Sequence, residues 1–285
     1  MNLPVQLANY ITMHVAGSVG YKALLKRLGS ATKAWRHVVK AVAAADSKTE
    51  CWFSVPSIRA AAQCLGGFPN LQALRFGGTA RVREIVLVLL KRSVVQLDLS
   101  GNVNLKNSAP LAALVRLQKL KLRNTQVGDV SGLWALPNLR ALDLGACPVQ
   151  DAGVLSTLTN LRSLDISRTQ VANVDSLAKL TNLSSLDLSR APVRSVDPLS
   201  TLTTLETLSI YGAPVQVIGS LSALVNLREL NVGETRVRSL ASLSTLTKLH
   251  TLNVYASGLQ GVYADGVRLL QASLPALRIV RNYTP

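Results

Sequence analysis

Residues 161–182 read LRSLDISRTQVANVDSLAKLTN, and the next stretch, residues 183–204, reads LSSLDLSRAPVRSVDPLSTLTT. Both stretches carry apolar residues at the same positions, and this pattern recurs without a gap through residues 94–273. The repeats open at Val94, Leu117, Leu139, Leu161, Leu183, Leu205, Leu227 and Leu249. A fixed period of about 20–29 residues with the spacing L-x-x-L-x-L predicts a solenoid.

The apolar positions of one repeat predict its local structure. Positions 4 and 6, Leu164 and Ile166 in the quoted repeat, alternate with polar neighbours as in a half-buried strand. Positions 11, 14, 17 and 20 recur at a spacing of three, which favours a tight turn and 3₁₀ or short helical structure. One repeat cannot bury its apolar side alone, so stacked repeats should share a continuous core beneath parallel strands.

These residues resemble a leucine-rich repeat protein of the short class found in internalins and in the leucine-rich regulatory subunit of protein phosphatase 1. The resemblance covers residues 71–285 and implies an α/β repeat solenoid. Its curved parallel sheet would lie on the concave face, with turns, 3₁₀ segments and short helices on the convex face. The family usually has Asn at position 9, where this chain has Asn102, Thr125, Cys147, Thr169, Ala191, Ala213, Thr235 and Ser257. Because Ala cannot bond the local backbone as Asn, Thr or Ser can, some of these turns must be held in another way.

The chain divides into four parts by pattern. We expect a helical module over residues 1–48, more helical transitional repeats over 49–93, regular repeats over 94–273 and a capping strand over 274–285. Within the transitional part, PNLQALRF reads as a strand, and Ser57–Leu65 and Arg83–Lys91 read as helices. Near the end, Tyr263–Ala272 favours one longer helix, and LPALRIV should close the edge of the sheet.

The first part has three interpretations. Its opening Leu-Pro, middle leucine pair and closing Trp-Arg resemble an F-box, although the acidic residues typical of F-boxes are missing. That resemblance implies contacts with a Skp-type adaptor through Leu3, Pro4 and Leu25, and a junction with the repeats at Trp35. A basic, acid-poor amphipathic segment also fits mitochondrial targeting. The third interpretation is a helical cap over the first repeat, which a solenoid requires.

Charge is strong and uneven. The net charge is +16, of which residues 1–92 contribute +10 and residues 93–285 contribute +6. Residues 1–45 contain no acidic residue. This balance favours an acidic partner, which could be nucleic acid, an anionic membrane surface or an acidic protein.

No catalytic or metal-binding constellation is visible in the sequence. His14, His37 and His250 are scattered without metal-ligand spacing, and no phosphate-binding loop or nucleophile elbow occurs. The three cysteines, Cys51, Cys64 and Cys147, lack paired spacing and read as apolar filler in a reducing compartment. The longest apolar run, Ile85–Leu90, is too short to span a membrane. We therefore expect a non-enzymatic intracellular protein, cytoplasmic or mitochondrial, with no cofactor, no metal and no transmembrane segment.

The residues that project from the strands are the candidates for binding. Position 5 carries an acidic row at Asp143, Asp165 and Asp187, whose mutual repulsion favours a cationic partner or a cross-strand Arg. Position 7 carries Tyr211 and Tyr255, two repeats apart, which are candidate anchors for a partner. Further candidates on the concave face come from one strand: Lys119, Lys121 and Arg123. Lys121 can either pair with Asp98 and Asp143 or serve binding.

A second basic set follows the strands. It comprises Arg168, Arg190, Arg194, Arg236 and Arg238. These side chains could form only a solvated rim, or they could contact phosphates without reading sequence.

Three functions remain open at this level. The first is a scaffold that binds a protein partner on its concave sheet. The second is an F-box-type substrate adaptor of a Skp-cullin ubiquitin ligase. The third is a basic subunit of a ribonucleoprotein, which would contact RNA through its phosphates.

Overall fold

The structure, a computed structural model, describes residues 50–53, 73–76, 94–257 and 263–280. They form one open parallel sheet in which eleven strands follow each other in chain order. The strands β1 to β11 are Glu50–Phe53, Ala73–Phe76, Gln96–Asp98, Lys119–Lys121, Ala141–Asp143, Ser163–Asp165, Ser185–Asp187, Thr207–Ser209, Glu229–Asn231, Thr251–Asn253 and Arg278–Val280. The predicted strands are confirmed, and β1 is an addition that the repeat pattern does not indicate.

Each repeat returns through a 3₁₀ segment, as the spacing of three predicts. These segments are Ala109–Ala113, Ser131–Ala135, Gly153–Thr157, Asp175–Lys179, Asp197–Thr201, Gly219–Ala223 and Ala241–Thr245. Each is followed by a leucine whose N–H donates to the carbonyl three residues earlier, as from Leu180 to Leu177 at 2.9 Å. Both leucines are buried, so the segment closes the core on the side away from the strands.

The repeats stack in register, which makes the core continuous. Leu142, Leu164, Leu186 and Leu208 are direct partners on neighbouring strands. Leu164 and Leu186 are 1% exposed and Leu208 is 2% exposed, so the predicted register is confirmed. Such buried leucines drive the stacking, because burying each leucine side chain stabilises the folded state by about 1.5–3 kcal/mol.

The turn after each strand has a left-handed residue at position 8. Two of these residues are glycines, Gly101 and Gly212, and the other six are Asn124, Ala146, Arg168, Arg190, Glu234 and Ala256. This conformation is unfavourable for a residue with a Cβ. It reverses the chain so that the position 9 side chain is directed into the interior.

The position 9 residues show how the turns are held without Asn. In the two alanine repeats, Ala191 N–H and Ala213 N–H donate to the position 6 carbonyls at 3.0 Å. Thr169 adds a bond from its hydroxyl to the Ile166 carbonyl at 2.7 Å. Cys147 is buried and donates its thiol to the Leu122 carbonyl at 3.0 Å, as expected of a packed cysteine. Burial also raises the pKa of this thiol.

A second ladder links successive repeats at position 22. The Asn138 amide donates to the Val115 carbonyl at 2.9 Å, and Asn182 donates to Thr159 at 3.0 Å. Asn160 and Asn226 make the equivalent bonds. Side-chain amides therefore join successive repeats on the surface of this protein.

The C-terminal end departs from the repeat as expected. Helix α1, Tyr263–Ser273, packs against the last 3₁₀ segment and buries Val267 and Leu270. Strand β11 then pairs with β10. The helices expected over Ser57–Leu65 and Arg83–Lys91 lie outside the described residues, as does the whole of residues 1–48.

Candidate protein-binding face of the sheet

One surface of the sheet carries all the projecting residues singled out above. We call it the outer face and define it by positions 3, 5 and 7 of the repeats that open at residues 94–249. Positions 4 and 6 point into the core, so the strand pleat turns the odd positions outward. Lys119, Lys121 and Arg123 thus share this face with the position 5 and position 7 residues of the later repeats.

The position 5 residues first serve the backbone. An oxygen of each Asp or Asn accepts the N–H of position 7, as from Ser167 to Asp165 and from Ser189 to Asp187, both at 2.8 Å. The same bond recurs at Asp98, Asp143, Asn231 and Asn253. The acidic row therefore has a structural role in ending the strands. It uses Oδ1 of each carboxylate and leaves Oδ2 for other contacts.

Arg123 supplies the cross-strand cation that the acidic row favours. Its Nη1 donates to Asp165 Oδ2 at 2.6 Å, two repeats along the solenoid, and lies 3.6 Å from Asp143 Oδ1. Burial opposes the charge of Arg123, but the carboxylates of Asp165 and Asp143 outweigh it and raise the pKa of the guanidinium. Among the described residues Arg123, and not Lys121, makes the ion pair with Asp143.

Gly145 makes this reach possible. It holds position 7 in the repeat between Arg123 and Asp165, and a Cβ there would lie 2.3 Å from Nη1 of Arg123 and 2.9 Å from Cζ. Because Gly145 has no side chain, it leaves space for the Arg123 side chain to lie across the strand.

Burial dominates the electrostatics of two carboxylates of the acidic row, Asp143 and Asp187. It raises the pKa of Asp143 and of Asp187, and the neighbouring charge of Asp165 adds to that effect. The N–H of Gly145 opposes the rise at Asp143, the hydroxyl and N–H of Ser189 oppose it at Asp187, and the charge of Arg123 opposes it at both, but these effects do not cancel it. The ionised form of these two carboxylates is therefore less stable than that of a solvated carboxylate.

A second group of the same design surrounds Tyr211. The guanidinium of Arg190 lies over the Tyr211 ring, 5.4 Å from its centroid, and its Nη2 is 3.4 Å from Glu234 Oε2. Arg190 crosses Gly212, where a Cβ would lie 3.0 Å from its Cγ, to reach two repeats along. The Tyr211 hydroxyl oxygen is shielded from water and has no hydrogen-bond partner at bonding distance among the described residues. Its proton interacts with the Glu234 carboxylate, which raises the pKa of Tyr211.

The two tyrosines flank another glycine. A Cβ at Gly233 would lie 3.0 Å from Cδ2 of Tyr211 and 3.1 Å from the carbonyl oxygen of Tyr255. Both rings are partly exposed on the outer face, where they are accessible to a partner.

One arginine of the basic set after the strands is held by other side chains, and four are not. Arg190 is held by Tyr211 and Glu234, as described above. The other four, Arg168, Arg194, Arg236 and Arg238, are exposed and make no ion pair with a described residue. The stacking of Arg168 and Arg190 in one row follows from their shared position 8.

Two features were missed in the sequence. Position 2 carries exposed arginines at Arg140 and Arg162, and also Arg228, which lies 3.5 Å from Glu206. Trp134, in the 3₁₀ segment Ser131–Ala135, is 66% exposed on the side away from the strands. The regular period already assigned both to solvent-facing positions, so an inventory of positions 2 and 18 would have found them.

The remaining predictions concern the F-box residues, a membrane span and a metal site. The F-box residues Leu3, Pro4, Leu25 and Trp35 lie outside it. In the ranges that the structure describes, no helix is long and apolar enough to cross a membrane. In the same ranges no three His, Cys, Asp or Glu residues are grouped to hold a metal ion.

Comparison with known proteins bears on the repeats. A family model described as leucine-rich repeats (2 copies) matches residues 159–201. The repeats within these residues are leucine-rich repeats. No curated protein sequence matches the chain.

Solved structures of leucine-rich repeat proteins share the fold. An internalin (inlF) from Listeria monocytogenes is 22% identical, with a TM-score of 0.67 over 78% of this chain and 70% of the internalin. Internalin C2 from the same species is 25% identical, with a TM-score of 0.60 over 77% of this chain and 92% of its own. A leucine-rich repeat protein of Leptospira interrogans is 19% identical, with a TM-score of 0.64 over 87% and 69% of the two chains. The leucine-rich repeat solenoid is thereby established, as the sequence predicted.

Proposed function

We propose that this chain is a non-enzymatic scaffold that binds a protein partner on the outer face of its sheet. The observation that carries the proposal is a single face of in-register strands that presents two partly exposed tyrosines beside a mixed-charge row. Tyrosine on a rigid surface is a frequent anchor of protein interfaces. A repeat solenoid offers such a surface without needing catalytic groups.

The arrangement of charge supports a protein partner over a uniformly anionic one. The outer face carries charges of both signs, with Lys121 and Arg123 on one repeat and Asp143, Asp165 and Asp187 on the next three. Phosphates would be repelled by the acidic half of this row. A protein surface can present complementary charges of both signs.

Affinity purification followed by binding to the purified partner tests the proposal. We expect Tyr255→Ala and Tyr211→Ala each to weaken binding by about 1–2 kcal/mol or more. Trp134→Ala is the matched control, since it removes an exposed aromatic ring from the opposite side. Binding that depends on Trp134 and tolerates both tyrosine changes would contradict the outer face as the site.

The exposed rim arginines support a second candidate, binding to RNA phosphates. Reversing Arg168 and Arg194 to Glu should then weaken binding across RNA sequences without changing preference. The affinity should also fall steeply between about 50 and 200 mM salt through counterion release. Weak salt dependence would remove this candidate.

The F-box interpretation remains a separate proposal about residues 1–48. A pull-down compares wild type with the double variant Leu3→Ala/Pro4→Ala for recovery of a Skp-type adaptor. Equal recovery would remove the ligase role without affecting the outer face.

A further inference from the structure

Position 2 of the repeats forms a continuous row along the edge where the strands begin. Each position 2 N–H donates to the position 2 carbonyl of the preceding repeat, as from Arg162 to Arg140 at 2.8 Å. The bond from Arg228 to Glu206 has the same length. Residues at this position are therefore neighbours from one repeat to the next. Because the strands are parallel and in register, these neighbours lie about 4.8 Å apart along the row.

The later half of this edge has charges of both signs in contact. The guanidinium of Arg228 lies 3.5 Å from the carboxylate of Glu206, its neighbour at position 2. The ring of His250, also at position 2, lies 4.0 Å from the carboxylate of Glu229. These contacts show that a position 2 side chain reaches a carboxylate one repeat away. An acidic group placed beside this edge is therefore within range of a position 2 arginine.

The earlier half of the edge has the cations without the acids. Arg140 and Arg162 are exposed, and their side chains make no hydrogen bond or ion pair with a described residue. Their other position 2 neighbours, Gln118 and Ser184, are uncharged, and Lys119 adds a third cation at position 3. We call Lys119, Arg140 and Arg162 the basic edge. Like charges on neighbouring strands cost stability, and an anion bound between them removes that cost.

Apolar surface borders the two arginines. Val115 is 49% exposed, and Pro137 is exposed one repeat later. Their carbonyls accept the side-chain amides of Asn138 and Asn160, both at 2.9 Å. Each of these asparagines lies two residues before an arginine of the basic edge, so the amide ladder places the two apolar residues next to it. A peptide with an apolar side chain can bury this surface, whereas a phosphate group gains nothing from it.

We infer that the basic edge binds an extended acidic segment of the protein partner, with an apolar side chain among its Asp or Glu residues. Its carboxylates contact the two arginines as Glu206 contacts Arg228. The inference rests on the proposed function, because the edge borders the outer face at position 3 and the partner bound there supplies the segment. From Lys119 to Arg162 the edge crosses two strand spacings, about 10 Å. An extended chain covers that distance in about three residues, so a short segment meets all three cations.

The opposite edge of the sheet offers a matched control. Arg140→Gln/Arg162→Gln removes two charges from the basic edge and leaves exposed polar side chains, so the fold should not change. Arg168→Gln/Arg194→Gln removes the same charge from two exposed arginines after the strands. Arg168 follows Arg162 by six residues, which corresponds to about 20 Å along an extended chain. Attraction between exposed charges over that distance is largely screened at about 0.1 M salt.

The probes are the fluorescent peptide acetyl-Glu-Glu-Leu-Glu-Glu amide, its neutral counterpart acetyl-Gln-Gln-Leu-Gln-Gln amide and an oligouridine RNA. Each is titrated with the full chain at about 0.1 M salt, and binding is followed by fluorescence anisotropy. We expect saturable binding of the acidic peptide and none of the neutral peptide. Arg140→Gln/Arg162→Gln should weaken binding of the acidic peptide at least about tenfold, as for loss of charge-assisted contacts. Arg168→Gln/Arg194→Gln should leave that binding nearly unchanged.

Equal losses of peptide binding in the two double variants would mean that the peptide follows net charge, and they would overturn the inference. RNA binding that depends on Arg140 and Arg162 more strongly than peptide binding does would also overturn it. If the peptide ignores the basic edge while Tyr255→Ala still weakens partner binding, only this site is wrong and the scaffold function stands. If the peptide binds as expected but the partner tolerates every outer-face variant, the basic edge stands and the proposed function fails.

Discussion

The space that Gly145 leaves for Arg123 leads to a prediction for Gly145→Ala. Its effect on the free energy of unfolding should depend on whether Arg123 is present. In Gly145→Ala the new Cβ would lie 2.3 Å from Nη1 of Arg123, so the arginine must leave Asp143 and Asp165. The side chain of Arg123 is 44% exposed, and an ion pair this exposed contributes about 0.5–1 kcal/mol. Gly145 is not one of the left-handed glycines, so alanine also stabilises by about 0.4–1 kcal/mol through the unfolded state. The two effects nearly cancel, and Gly145→Ala should change the free energy of unfolding little.

Removing the arginine first separates the two effects. In an Arg123→Ala background the clash with the arginine is gone and the close contact that remains is with Asp143 Oδ1 at 3.1 Å, so Gly145→Ala should stabilise by up to about 1 kcal/mol. The coupling between the two sites should therefore be about 0.5–1 kcal/mol. Urea unfolding of the four proteins of the cycle measures it, with midpoints compared at a common slope.

Gly219→Ala is the control for this cycle. No atom lies within 4 Å of a Cβ at Gly219, so the same stabilisation should appear in both backgrounds. If Gly145→Ala changes the free energy of unfolding by the same amount with and without Arg123, Arg123 does not depend on the space at Gly145.

Three further predictions follow from the row, the core and the surface ladder. Because Asp187 has a raised pKa, its folded form binds protons more tightly than the unfolded chain, whose ordinary value is 3.8, so stability falls as pH rises through that window. Asp187→Asn should therefore gain stability relative to wild type between about pH 4 and 7 and lose that advantage below about pH 3, as measured by urea unfolding across pH; an advantage that persists at low pH would contradict burial as the cause. Leu186→Ala should cost about 2–5 kcal/mol in the same assay, because Leu186 is almost fully buried, and a cost below about 1 kcal/mol would argue against the register. Asn182→Ala should cost about 0.5–1.5 kcal/mol by removing the bond to the Thr159 carbonyl, whereas no change would mean that water replaces the bond fully.

The period sufficed to predict the strands, the 3₁₀ segments and the leucine core, since each depends on where apolar residues recur. It did not predict β1, because ECWF at residues 50–53 has no L-x-x-L-x-L frame around it. Left-handed turns at position 8 were also missed. Only Gly101, Gly212 and Asn124 signal them in the sequence, and residues such as Arg168 give no local sign of that conformation.

The candidate site was predicted in composition but not in its contacts. The acidic row and the tyrosines were visible, yet the cation of the row turned out to be Arg123 at position 7 and not Lys121 at position 5. That choice depends on reach across a neighbouring repeat, which the period alone does not specify. A long side chain followed 22 residues later by glycine would have signalled it, as in Arg123 with Gly145 and Tyr211 with Gly233.

Arginine contacts that skip a repeat bear on how this solenoid unfolds. A repeat array whose units contact only their neighbours behaves as a one-dimensional chain that frays from its ends. Arg123 with Asp165, and Arg190 with Glu234, add second-neighbour coupling and bind residues 117–182 and 183–248 into two blocks of three repeats each. Neither contact crosses the junction between residues 182 and 183, which Asp165 and Asp187 flank. Amide hydrogen exchange should then open as two cooperative blocks that separate at this junction.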